Sequence, residues 1–283
     1  VSDITVLLYL YRHSLSVFGD RCSMSKTWIQ TNESSLTIVS KCLLHFCCMT
    51  SVLFVVSAAR MWELTDGTRH PTGYWAEELA TPHRIFSEAG WSIDIATPGG
   101  VAPTAERFSL GIAGGMPGHR RRVTAYLDAI AADLAHPIPL DRVDETQYDL
   151  VFYPGGHGVM VDLAFDETSG SVLTRRLRSG KPLALLGHGV AAILAAKNPH
   201  NPRAPSPFAD YQVTGTSTVE EKLNPFGRKI TWFLEDRLAE IGVYYHKARI
   251  PFRPFIVQDH HLYTGQNPAS SEALAHCLLD DIG

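Results

Sequence analysis

The stretch LALLGHGVAAIL, residues 183–194, reads as a buried strand, a sharp turn and a helix. Many α/β enzymes use this junction to raise one nucleophilic side chain above the sheet. The next backbone N–H then forms part of an oxyanion hole. Here the turn residue is Gly187, which offers no side chain but adopts the required positive φ easily. The spacing therefore predicts a vacant nucleophile position with the backbone half of the device retained. Its oxyanion hole would use the amides of His188 and of Gly156, which lies in a second glycine turn, PGGHG, at residues 154–158.

That second turn is a poor nucleotide motif: it lacks the GxGxxG order, and no P-loop lysine follows. His157 within it and Asp162 in GVMVDL read as turn caps, and His260 and His261 as an exposed hairpin tip. With no third ligand at suitable spacing, no metal is expected. No organic cofactor is expected either.

The elements that must carry these turns follow a clear pattern. From Val52 onward, apolar runs alternate with amphipathic helices, the signature of a mostly parallel sheet covered on both faces. VLFVVSA, SIDIATP, YDLVFYPGG and LALLG are strands, and LALLG is the most hydrophobic and so is expected innermost. Trp75, Leu79, Phe86 and Ala89 mark a helix, with Pro82 predicting a kink or early end. Residues 99–125, rich in Gly and Pro, read as a lid-like excursion. TAYLDAIAADLAH, SVLTRRLRSG, VAAILAAK, GRKITWFLEDRLAEIG and SSEALAHCLLDDI are helices, and FIVQD and HLYTG form a hairpin.

Composition sets outer limits. The chain has 283 residues, 45% hydrophobic and 19% charged, with a formal net charge of −4. That balance gives no reason to expect a nucleic-acid partner; the cluster 119–122, HRRR, reads as a solvated helix start. Residues 1–48 lack a sustained hydrophobic period and hold four of the five cysteines. They are expected to be an extension, disordered or artefactual, before a single α/β domain over 49–283. Lys41 and His45 break the one stretch long enough to suggest a membrane segment, so no membrane association is expected. One thiol, Cys277, after Met49 fits a reducing, cytoplasmic setting.

The phrases TGYWAEELATP, YDLVFYPGGHGVMVDL, KPLALLGHGVAAIL, QVTGTSTVEEKL and LYTGQNPASS together resemble the DJ-1/PfpI superfamily, class I glutamine-amidotransferase-like, in its Hsp31-like chaperone and glyoxalase III branch. The resemblance covers most of the chain after Val52. It implies a flavodoxin-like three-layer α/β sandwich and a homodimer. Carried over by residue, it puts the family's pocket glutamate on Glu78, the elbow histidine on His188, the triad acid on Glu221 and the reactive cysteine on Gly187. Glu220 is the neighbour with which Glu221 would be exchanged by a slip of one residue. Trp62, Tyr74, Trp75, His119 and His157 are candidate substrate-binding walls.

Thiol chemistry on 2-oxoaldehydes is closed to a glycine. The reading that remains is acid/base and oxyanion catalysis on a small carbonyl-bearing or hydroxyl substrate: hydration, dehydration, isomerisation or cyclisation, with Glu78 and His188 flanking a pocket. The alternatives are a glyoxalase or deglycase silenced by a Cys-to-Gly change, and a non-catalytic chaperone or binding relative.

Overall fold

The computed structural model describes residues 49–198, 201 and 203–283. The expectation for residues 1–48 lies outside the described residues, as do three positions of the Pro-rich 198–207 loop.

The alternation of apolar runs is realised as a seven-stranded sheet. In chain order its strands are β1 (Ser51–Val55), β4 (Ser92–Thr97), β5 (Ile138–Pro139), β6 (Leu150–Tyr153), β7 (Leu183–Leu186), β10 (Ile256–Asp259) and β11 (Leu262–Gly265). Two small ribbons supply the remaining strands, β2 (Met61–Glu63) with β3 (Arg69–Pro71), and β8 (Gln212–Val213) with β9 (Tyr244–Tyr245). The order across the sheet is β10-β11-β7-β6-β1-β4-β5, parallel throughout except for the β10–β11 hairpin. The central strand is β6, not the more hydrophobic LALLG strand β7. Every residue of both strands is buried, so hydrophobicity alone could not rank them.

Side chains leave the sheet alternately, as the period of two requires. Leu53, Val55, Val151, Tyr153, Leu183 and Leu185 enter one core. Val52, Phe54, Leu150, Phe152, Ala184 and Leu186 enter the other. The first core is closed by α5 (Glu167–Ser179) and α7 (Leu234–Glu240). The second is closed by α1 (Ala76–Glu88), α3 (Pro117–Ala129), α4 (Ala131–Ala135) and α8 (Ser271–Ile282). Helix, sheet and helix make the three-layer flavodoxin-like sandwich.

Three local expectations change. Helix α1 does not end at Pro82 but continues to Glu88. Pro82 forfeits one backbone bond, and burial of Ile85 and Phe86 downstream holds the second half. The helix expected over 227–242 shrinks to α7. Gly227 is pressed so closely on the Glu221 carbonyl that a Cβ there would lie 1.7 Å from the oxygen. The Lys229 carbonyl meanwhile accepts from the distant Thr65 N–H at 2.8 Å. Long-range contacts outbid helical periodicity in that segment. After the elbow, Gly187–Ala195 forms a nine-residue 3₁₀ helix rather than an α-helix.

Candidate active site

Ligand sites of open α/β sheets lie beyond the carboxyl ends of the strands, and the chemistry-bearing side chains of this chain gather there. Strand β6 runs out into Pro154-Gly155-Gly156-His157, and β7 into Gly187-His188. Helix α1 brings Glu78 in its first turn. The short helix α6 (Thr218–Leu223), opened by a capping box between Ser217 and Glu220, presents Glu221.

Glu78 stands at the elbow itself. Its Oε2 accepts the Gly155 N–H at 2.8 Å. A Cβ on Gly187, whose φ is +55°, would lie 2.4 Å from Oε1 and 2.6 Å from Oε2. A Cβ on Gly155 would meet Oε2 at 2.3 Å and the His188 N at 2.7 Å. Both glycines are therefore required by close approach, and the carboxyl fills the space into which a side chain at 187 would grow. The open pocket expected between Glu78 and His188 is thus corrected: Glu78 is 1% exposed and His188 5%. Burial with a single hydrogen bond and no cation in contact pushes the Glu78 carboxyl up to about 8, so it is neutral at physiological pH.

Beside it runs a chain of alternating carboxyl and imidazole groups. His188 Nε2 meets Glu221 Oε2 at 2.5 Å, and its Nδ1 lies 3.4 Å from the Thr216 hydroxyl. His157 Nε2 meets the other Glu221 oxygen at 3.0 Å, while its Nδ1 meets Glu106 Oε1 at 2.8 Å. Burial alone would lower His157, but the flanking carboxylates Glu106 and Glu221 outweigh it and hold the imidazole well above its usual value. It is an imidazolium donating from both nitrogens. Burial would likewise raise Glu221, yet His188 and His157 keep it well below the usual carboxylate range. Glu220, the neighbour one residue away, belongs to a different cluster with Ser217, Gln266 and Asn267.

An aromatic cover seals this centre. Trp62 stacks on His157 with ring centroids 5.4 Å apart, and Phe226 packs edge-on to it at 5.1 Å. Phe108, in α2 (Arg107–Leu110), packs against both Phe226 and Trp75. The Trp75 indole N–H is buried and finds no acceptor among the described residues.

The remaining candidates divide. Tyr74 lies in the second core, its backbone exchanging bonds with Thr104 and Glu106. His119 stands aside, 3.2 Å from Glu77 rather than Glu78. The Gly155 amide, not that of Gly156, meets the Glu78 carboxyl. Asp162 gathers the Ser57 hydroxyl and the Ala58 and Ala59 amides, a structural anchor. His260 is exposed at the hairpin tip and pairs with Asp259. Sequence reasoning missed Glu106 and Phe226. Glu106 sits in the Gly- and Pro-rich stretch, where no periodicity marks it, and its partner is 51 positions away.

By residue type, His157, His188 and Glu221 could hold a metal ion, their ligand atoms all lying within 4.8 Å of one another. Those same atoms are bonded to each other, so an ion would have to displace the hydrogens that now join them.

A family model described as ThiJ/PfpI family-like matches residues 70–235. The chain belongs to this family, within the DJ-1/PfpI superfamily and its Hsp31-like branch. Glutamine amidotransferase-like class 1 domain-containing protein 1 of Homo sapiens is 28% identical over 194 residues, covering 69% of this chain and 82% of that protein. Protein/nucleic acid deglycase HchA of Pseudomonas aeruginosa is 26% identical over 237 residues, covering 79% and 77%. The crystal structure of glyoxalase III from Candida albicans shares the fold, with a TM-score of 0.70 at 19% identity over 83% of this chain and 98% of that one.

Proposed function

We propose that this chain acts on a small carbonyl-bearing molecule by proton transfer, without a covalent thiol intermediate. One observation carries the reading: a neutral carboxyl, Glu78, occupies the elbow position where Gly187 supplies no side chain. A carboxylic acid that keeps its proton to about pH 8 is equipped to donate it to a carbonyl oxygen. His188 is fixed through Nε2 by Glu221, and its Nδ1, 3.4 Å from the Thr216 hydroxyl, takes a proton from the adjacent carbon or from water when that hydroxyl turns aside. Enolisation and hydration both follow from that pair: one proton leaves carbon or water for His188, and one passes from Glu78 to oxygen. The Trp75 N–H is a spare donor for the substrate. Relatives named as a deglycase and a glyoxalase III support the carbonyl class. Entry requires the cover of Trp62, Phe108 and Phe226 to open.

The test is deuterium exchange at carbon in methylglyoxal and hydroxyacetone, followed by proton NMR. Exchange above the buffer rate is expected, insensitive to thiol alkylation, falling at least about 100-fold in Glu78→Gln and declining as pH rises through about 8. Exchange equal to buffer for both compounds, or unchanged in Glu78→Gln, overturns the reading.

The near-complete burial of Glu78 and His188 favours a second reading, a non-catalytic binding relative whose polar centre holds the fold. In that case Glu78→Gln leaves ligand binding intact.

A further inference from the structure

The segment 107–127 stands apart from the acidic balance of the chain. It holds no Asp or Glu and four arginines, Arg107, Arg120, Arg121 and Arg122, in a protein of net charge −4. None of the four makes an ion pair or hydrogen bond among the described residues, and the Arg120 Nε is buried without a partner. Arg120 and Arg121 line a groove of about 420 Å³ together with Leu110, Pro117, Thr124 and one acid, Asp128.

The turn that leads into α3 adds a second, independent feature. Ile112 and Met116 are 90% and 77% exposed, the two most exposed large hydrophobic side chains among the described residues. They project from a glycine-rich turn that is held against the arginines: a Cβ on Gly114 would lie 3.5 Å from the Arg120 side chain.

We propose that this turn and the first two turns of α3 form a docking surface for an anionic phospholipid membrane. Unpaired guanidinium groups match lipid phosphates, and the groove between Arg120 and Arg121 has room for one headgroup. Ile112 and Met116 enter the interface beneath the headgroups. Two apolar tips raised singly on a turn present no broad face for a protein partner, which needs a packed, complementary patch. A fluid bilayer needs none. The association is peripheral, since no helix among the described residues is long and apolar enough to cross a membrane. The expectation of no membrane association rests on the apolar stretch that Lys41 and His45 interrupt, and a net charge of −4 averages away a local cluster of this kind.

Flotation of the full chain with vesicles of phosphatidylcholine alone and with 30% phosphatidylserine tests the proposal. Binding to the anionic vesicles alone is expected, weakened at least tenfold by raising salt from 0.1 to 0.5 M. Arg120→Glu with Arg121→Glu should weaken it by a similar factor. So should Ile112→Ser with Met116→Ser, whose exposure leaves the core untouched; thermal melting of each variant confirms the fold. Equal binding to both vesicles, no binding to either, or variants that bind like the parent overturn it. So does a dimer, seen by sedimentation, that dissociates on Ile112→Ser with Met116→Ser, or capture of an acidic peptide in place of vesicles.

Discussion

Two buried carboxyl groups at the carboxyl end of the sheet meet opposite fates. Glu78 is 1% exposed and Glu221 3%. Yet Glu78 is pushed up to about 8, while Glu221 is held far below its ordinary value. The difference is company. Glu78 accepts one backbone N–H and touches no cation. Glu221 lies between two imidazoles, one of which is tied to Glu106 in turn. Burial sets the cost of a charge, and pairing decides whether the charge survives it.

The comparison breaks first at Glu78. Its folded value lies above the ordinary 4.5, so the stability it contributes is complete below about pH 4.5 and is lost as pH rises through about 8. Relative to Glu78→Gln, the parent should lose on the order of 5 kcal/mol of unfolding free energy between pH 4 and pH 9, read by urea denaturation. A carboxyl ¹³C NMR titration with a midpoint near 4.5 would sink the assignment.

The paired side should fail differently. His157→Ala leaves Glu106 and Glu221 facing each other without the intervening cation. Breaking a buried pair in this way costs about 3–5 kcal/mol. The linkage signs oppose each other here. Glu221 contributes above about pH 4.5 and loses its contribution as pH falls through its lowered value. His157 contributes fully below about 6.5 and loses its contribution as pH rises through its raised one. A stability plateau between about pH 4.5 and 6.5, declining as pH rises further, that His157→Ala removes is the expected profile.

Gly187→Ala sharpens the contrast at smaller scale. The new Cβ must displace the Glu78 carboxyl and hold φ near +55°, for about 1–3 kcal/mol. A crystal structure of that variant with Glu78 unmoved would contradict the packing described here. Smallest of all, Arg84→Ala removes an exposed i,i+4 pair with Glu88 and should cost roughly 0.3–0.5 kcal/mol.

Much of the frame was legible in the residues. The alternating strands assign Leu53 and Val151 to one core and Phe54 and Phe152 to the other. Gly180 ends α5 in the left-handed conformation expected of a terminal glycine. The motif phrases also singled out Glu78, His188 and Glu221 as a group. Glu106 was not legible, because a carboxylate in a Gly- and Pro-rich stretch carries no periodic signal. Nor was the shortening of α7, since its local pattern is helical and only the approach of Thr65 and Glu221 overrides it.

By itself, then, the order of residues determined the sheet, its two faces and the glycine turns at the strand ends, because those depend on periods of two and 3.6 and on local backbone freedom. Tertiary structure alone decided which acid is neutral and which is charged, and that Glu78 rather than open space lies against Gly187. Ionisation is fixed by what stands within a few ångströms, and in this chain those neighbours are brought together across 33 to 77 positions of sequence.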